Sequence, residues 1–221
     1  MTFWPAVLRP LSAPFHAETD AVRRRRRAVV VVTAVVGAVL LGVLLRTGND
    51  SAWFYPLGLA LAATRVAGAL ASGPLHLGRL GERRNVAWPA ALGVVAFAGF
   101  ATAAVLVRAV PALDDEVQSV ISRADVGVLW LVVAVALLNG LAEEVFFRGA
   151  LYSAFGRHRP VLWSTVAYVA VTAATLNVML VLAAAVMGTL FALERRATRG
   201  ILAPVVTHLT WSVLMISFLP R

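Results

Sequence analysis

Long apolar runs alternate with short polar breaks along this chain, and seven of the runs approach the length of a membrane crossing. A helix needs about 20 mostly apolar residues to cross the hydrocarbon core. The pattern predicts spans at Ala28–Leu45, Trp53–Ala71, Val86–Val110, Val126–Glu143, Leu162–Leu176, Val178–Leu193 and Ile201–Leu219. Only a few polar residues around Thr175 and Asn177 divide the fifth run from the sixth. A tight turn there makes a helical hairpin, because one continuous segment of about 30 residues is too long for a single crossing. Trp53, Tyr55, Trp88 and Trp163 fall near span ends, where aromatic residues gather at the membrane–water interface. The expected fold is all-α: a polytopic transmembrane helix bundle of about seven spans.

The charges set an orientation. All 20 basic residues are Arg. With the N-terminus in the cytoplasm, 15 of them lie inside: Arg9, Arg23 to Arg27, Arg79, Arg83, Arg84, Arg148, Arg157, Arg159, Arg195, Arg196 and Arg199. Arg46, Arg108, Arg123 and Arg221 then lie outside with the acidic group Asp114, Asp115 and Glu116. That bias is the positive-inside rule, so a multi-pass protein of the cell membrane with a cytoplasmic N-terminus is expected. Residues 1–27 form a basic cytoplasmic segment, 28–124 the N-terminal membrane spans and 125–221 a C-terminal membrane core. Phe3, Trp4, Leu8, Leu11 and Phe15 suit the stretch 1–22 to the inner surface. The run of five Arg anchors topology and touches anionic headgroups. It lies too far from the start, with no clear small-residue cleavage site after it, for a cleaved signal peptide.

Composition agrees. Apolar residues make up 60% and charged residues 14%, against about 45–50% and about 25% for a soluble domain. The mean hydropathy of +0.83 excludes disorder, an ordinary soluble enzyme and a nucleic-acid module, despite a net charge of +9. The lipid bilayer is the implied partner and nucleic acid is not. There is no Cys, which removes disulfides, thiolate metal sites and cysteine catalysis.

Ionisable groups inside a span cost roughly 2.5–3.5 kcal/mol each on insertion scales, so each needs a reason. The densest cluster closes the fourth run: Asn139, Glu143, Glu144 and Arg148. Glu144 and Arg148 are spaced to pair on one helical face. Glu143 sits about 100° around the helix, on the face of Asn139, and has no comparable local partner. An unpartnered carboxylate at the membrane is suited to accept a proton from water. The competing structural reading is an ion pair that marks a helix end. His208 in the last run lies seven residues beyond Ile201, roughly 10 Å deep at about 1.5 Å per residue, and Glu143 lies roughly 7–8 Å inside Arg148 on the same scale. Matching depth lets distant helices build one site. Ser212 follows His208 on the same face. Arg65 is isolated, free to snorkel or to pair with an acidic group in the bundle, and is assigned no chemistry.

Glu143-Glu144-Val-Phe-Phe-Arg148-Gly149 resembles the first motif, EExxxR followed by Gly, of the CAAX protease and bacteriocin-processing family of intramembrane proteases. The stretch from Gly188 through Arg195, Arg196, Gly200 and Pro204 to His208 is similar to that family's closing hairpin. The resemblance covers roughly 125–219. It implies an endopeptidase acting on membrane-associated proteins or peptides, with Glu143 activating water, Glu144 and Arg148 supporting it, and His208 as oxyanion donor or metal ligand. Zinc held by Glu143 and His208, or no metal at all, both stand open. Asn139, Thr172 and Ser212 are expected on the substrate or oxyanion side.

Two departures matter. The family's second motif aligns with Tyr168-Val-Ala-Val-Thr172, where Thr172 stands in place of a His, and its final Asn aligns with Ser212. Thr is no general base near neutral pH and a poor zinc ligand. Losing half of a water-activating pair costs about 10²–10⁴ in rate. Two other classes therefore stay in view: a pseudoprotease that binds a membrane partner without cutting it, and a small transporter or scaffold in which Glu143, Glu144 and His208 relay protons or cations.

Overall fold

The computed structural model describes residues 19–47, 51–78, 84–107, 109, 114–118 and 129–218, and within these every regular element is helical. Helix α1 runs Asp20–Arg46, α2 Phe54–Ser72, α3 Arg84–Val107 and α4 Leu129–Glu143. α4 continues without a break through a π-helical turn, Glu144–Leu151, into a final α-helical turn, Tyr152–Phe155. α5 is Pro160–Thr172 with a 3-10 turn at Ala173–Thr175, α6 is Val178–Thr198 and α7 is Leu202–Phe218.

Five of these helices are long and apolar enough to cross a membrane, and Pro160–Thr175 and Leu202–Phe218 are apolar but shorter. The protein is thus a multi-pass helical membrane protein. Large apolar side chains face outward, as lipid contact requires: Val31, Val32, Val35 and Val39 line one side of α1 with 60–63% of their surface exposed. The fifth and sixth expected spans are separate helices. Leu176 turns the chain with φ of 57°, and the Asn177 side chain then caps α6 by accepting from the Leu180 N–H.

Several boundaries differ from the sequence expectation. α1 begins eight residues before Ala28 and takes the Arg run into the helix. One member, Arg26, is fully buried there, donating to Ser72 Oγ at 3.2 Å and to the Pro74 carbonyl at 2.9 Å. It therefore closes the C-terminal end of α2 rather than only meeting headgroups. α4 extends to Phe155, twelve residues beyond the expected end at Glu143. Residues 1–18, most of the expected N-terminal segment, and the expected span ends at 108, 110, 126–128 and 219 lie outside the described residues.

The core forms where the π-helical turn meets its neighbours. Phe146, Phe147, Ala150 and Leu151 pack with Tyr168 and Val171 of α5, Ala184 of α6, Val30 of α1 and Ala69 of α2. The segment after α2 is tied to the α6–α7 turn by two backbone bonds, Ile201 N–H to the His76 carbonyl and Leu202 N–H to the Leu77 carbonyl, both 3.2 Å. A side chain on Gly200 would strike the Gly78 backbone, so glycine is required for that approach.

Candidate active site

Glu143 and Glu144 are adjacent in sequence and opposite in environment. Glu144 is fully buried. Its Oε1 lies 3.2 Å from Arg148 Nη1 and 2.9 Å from His208 Nδ1. The expected Glu144–Arg148 pair is present, and the expected convergence of α4 and α7 occurs. His208, however, joins Glu144 rather than Glu143. Gly140, one turn before Glu144, makes this possible: a Cβ there would sit 3.4 Å from His208 Nε2, so the imidazole lies close over the helix. The ring also stacks on Phe191, with centroids 4.8 Å apart.

Arg148 is enclosed. Nη2 donates to the Gly188 carbonyl at 3.1 Å, and the guanidinium lies 4.7 Å from the Tyr168 ring centroid and 5.1 Å from that of Phe191. Its own carbonyl accepts from Arg195 Nε at 2.9 Å. The π-helical turn that carries these residues is a form common at functional positions in helices. Glu144, Arg148 and His208 thus brace the helices from within, with Glu144 Oε2 and Arg148 Nε left without a hydrogen-bond partner.

Glu143 faces a different set. Oε1 lies 2.8 Å from Arg65 Nη1, and Oε2 accepts from the Tyr168 hydroxyl at 2.8 Å. The Glu143 side chain keeps 16% exposure while Arg65 has 2%. The Arg65 contact is an ion pair and not an aligned hydrogen bond, since the buried Nη1 makes none. Of the two alternatives open to Arg65, snorkelling or pairing with an acidic group in the bundle, it takes the second. Gly58, Leu61, Ala62, Arg65, Ala69 and Ser72 form the buried stripe of α2 at three- and four-residue spacing, which aims Arg65 into the bundle.

The remaining expected residues are placed as follows. Asn139 spends its amide hydrogens on the Gly58 and Val135 carbonyls, both at 3.0 Å, and its Oδ1 is buried without a partner. Thr172 turns its hydroxyl back to the Tyr168 carbonyl at 2.9 Å, and among the described residues no hydrogen bond joins it to Glu143 or His208. Ser212 is half-buried one turn past His208. Glu194 of α6 was passed over in sequence. It is fully buried, with Oε1 2.6 Å from Thr207 Oγ1 and Oε2 unpartnered.

These donors do not make a zinc site. Catalytic zinc takes three protein ligands, and no group of three such side chains converges among the described residues. His208 is oriented by Glu144 through Nδ1 and offers at most one nitrogen, while the oxygens of Glu143 face Arg65 and Tyr168. A guanidinium 2.8 Å from the candidate ligand would repel a dication.

Residues 125–214 match the family model described as Rce1-like, Type II CAAX prenyl endopeptidase Rce1-like. The match supports the resemblance read from Glu143, Glu144, Arg148 and His208, all of which lie within it, whereas Arg65 lies outside. No curated protein and no solved structure matches the chain.

Proposed function

Because residues 125–214 match the Rce1-like family model, we propose that the chain is an intramembrane endopeptidase with Glu143 as the base that activates water. One observation carries this reading. Of the two adjacent carboxylates only Glu143 keeps exposure, 16% against none for Glu144, so only Glu143 is open to water and substrate.

Glu143 takes a proton from water as the water oxygen bonds to the scissile carbonyl carbon, and the carbonyl electron pair moves onto its oxygen. When the C–N bond breaks, the same proton passes from Glu143 to the leaving amine. Tyr168 and Arg65 hold the carboxylate in place. With Thr172 where the family has a His, no second base stands on α5, and catalysis is slower than with the pair by about 10²–10⁴. The N-terminus lies in the cytoplasm, and the substrate is a membrane-anchored protein or peptide that enters from the cytoplasmic leaflet.

The test uses the purified full chain in liposomes with a membrane-anchored peptide reporter. Wild type cuts the reporter, and Glu143→Gln abolishes cutting while expression and thermal unfolding stay as before. A wild type that leaves every reporter uncut but captures a membrane partner establishes the pseudoprotease instead. Proton flux lost on Glu143→Gln establishes the relay.

A further inference from the structure

We propose that Arg65 is a catalytic residue: its guanidinium donates an N–H to the substrate carbonyl oxygen and holds the negative charge which that oxygen gains when water adds. The inference rests on Glu143 being the base, and it completes the site from α2, outside the matched stretch 125–214.

Position is the first argument. A base and an oxyanion donor must flank one carbonyl group, the base on the side of the water and the donor at the oxygen. Arg65 Nη1 lies 2.8 Å from Glu143 Oε1, so an oxygen within hydrogen-bond reach of this guanidinium is also beside the base.

The second argument is a spare hydrogen. Nη1 is buried and makes no hydrogen bond of proper alignment, its contact with Glu143 being one of charge. A guanidinium carries five N–H donors in a fixed fork, and leaving one unmade in a dry site costs free energy. That cost is recovered when an oxygen arrives, and more so when the oxygen is an anion.

Scarcity of free donors is the third. The Asn139 amide is engaged with two carbonyls, the Thr172 hydroxyl with the Tyr168 carbonyl and the Tyr168 hydroxyl with Glu143, while His208 gives only Nδ1 to Glu144 and can share the oxyanion with Arg65 through Nε2. Arg148 also has an unpartnered Nε, but it is locked against the fully buried Glu144, whereas Arg65 adjoins the one carboxylate of the pair with exposure.

In the step itself the water oxygen bonds to carbon and Glu143 takes its proton. The π pair moves to oxygen, where Arg65 meets it. Arg65 gives up no proton, since a guanidinium is too weak an acid. Collapse returns the pair, breaks the C–N bond and sends the proton from Glu143 to the amine.

A peptide with a phosphinic group at the scissile position carries a tetrahedral anionic oxygen; its amide counterpart does not. The full chain in detergent micelles should bind the phosphinic peptide about 10²-fold tighter than the amide. Arg65→Gln should remove about 10²-fold of phosphinic affinity and weaken amide binding far less, so that the preference collapses. Arg65→Lys keeps the charge opposite Glu143 and loses the fork, so its preference should be intermediate; it decides the matter if the Gln variant does not fold. Equal binding of both peptides by wild type, or an undiminished preference in Arg65→Lys, overturns the proposal. A wild type whose preference depends on Arg65 but which cuts no reporter overturns the protease reading and leaves the anion site standing. A wild type that cuts, with kcat unchanged in the Arg65 variants, overturns the Arg65 assignment alone.

Discussion

His208 Nδ1 meets Oε1 of Glu144 at 2.9 Å, and not the carboxylate of Glu143. This relationship sorts the acidic pair into a buried brace and a partly exposed carboxylate. The imidazole and the Arg148 guanidinium share one buried oxygen, so α4 and α7 are held at the level where Glu143 emerges.

Glu144→Ala removes the anion opposite Arg148, which is 1% exposed and keeps only the Gly188 carbonyl as acceptor. Breaking one side of a buried pair costs about 3–5 kcal/mol. Thermal unfolding in detergent should show that loss, with a smaller one for Glu144→Gln, whose amide oxygen still accepts. An Ala variant that unfolds with wild type would refute the brace.

Gly200→Ala tests how the loop after α2 fixes the start of α7. The new Cβ would meet the Gly78 backbone, and backbone cannot rotate aside as a side chain does. Overpacking of this kind costs about 1–3 kcal/mol. The expected result is lower thermal stability with weakened cleavage, since the displaced turn lies eight residues before His208.

Thr172→His should restore a second acid–base group beside the reaction. The expected gain in kcat is about tenfold or more, within the 10²–10⁴ that such a group supplies. Steady-state kinetics on the membrane-anchored reporter measure it. An unchanged kcat would show that position 172 does not hold the second motif.

Chelation should leave cleavage unaltered, because both oxygens of Glu143 are committed to Arg65 and Tyr168 and no set of three ligands converges among the described residues. The check is activity after prolonged treatment with a strong chelator. Loss of activity restored by zinc would overturn this.

Which segments leave water was legible from residue order, because burial in lipid needs only local apolarity and each long run supplies it. The Glu144–Arg148 pair was legible for the same reason: both ends sit on one helix at fixed spacing. The break at Leu176 and Asn177 was legible from its polar residues. Partnership across helices was not. Whether His208 reaches Glu143 or Glu144, and whether Arg65 snorkels or pairs, depends on how closely helices cross. Small residues at Gly58, Gly140 and Gly188 set those crossings through contacts with side chains distant in the chain. The run of α4 past Arg148 and the burial of Arg26 and Glu194 belong with these, since each polar group there is compensated by a partner on another element. Local pattern thus carries the helices and the Glu144–Arg148 pair, while the ion pair of Arg65 and Glu143 exists only once α2 and α4 are packed together.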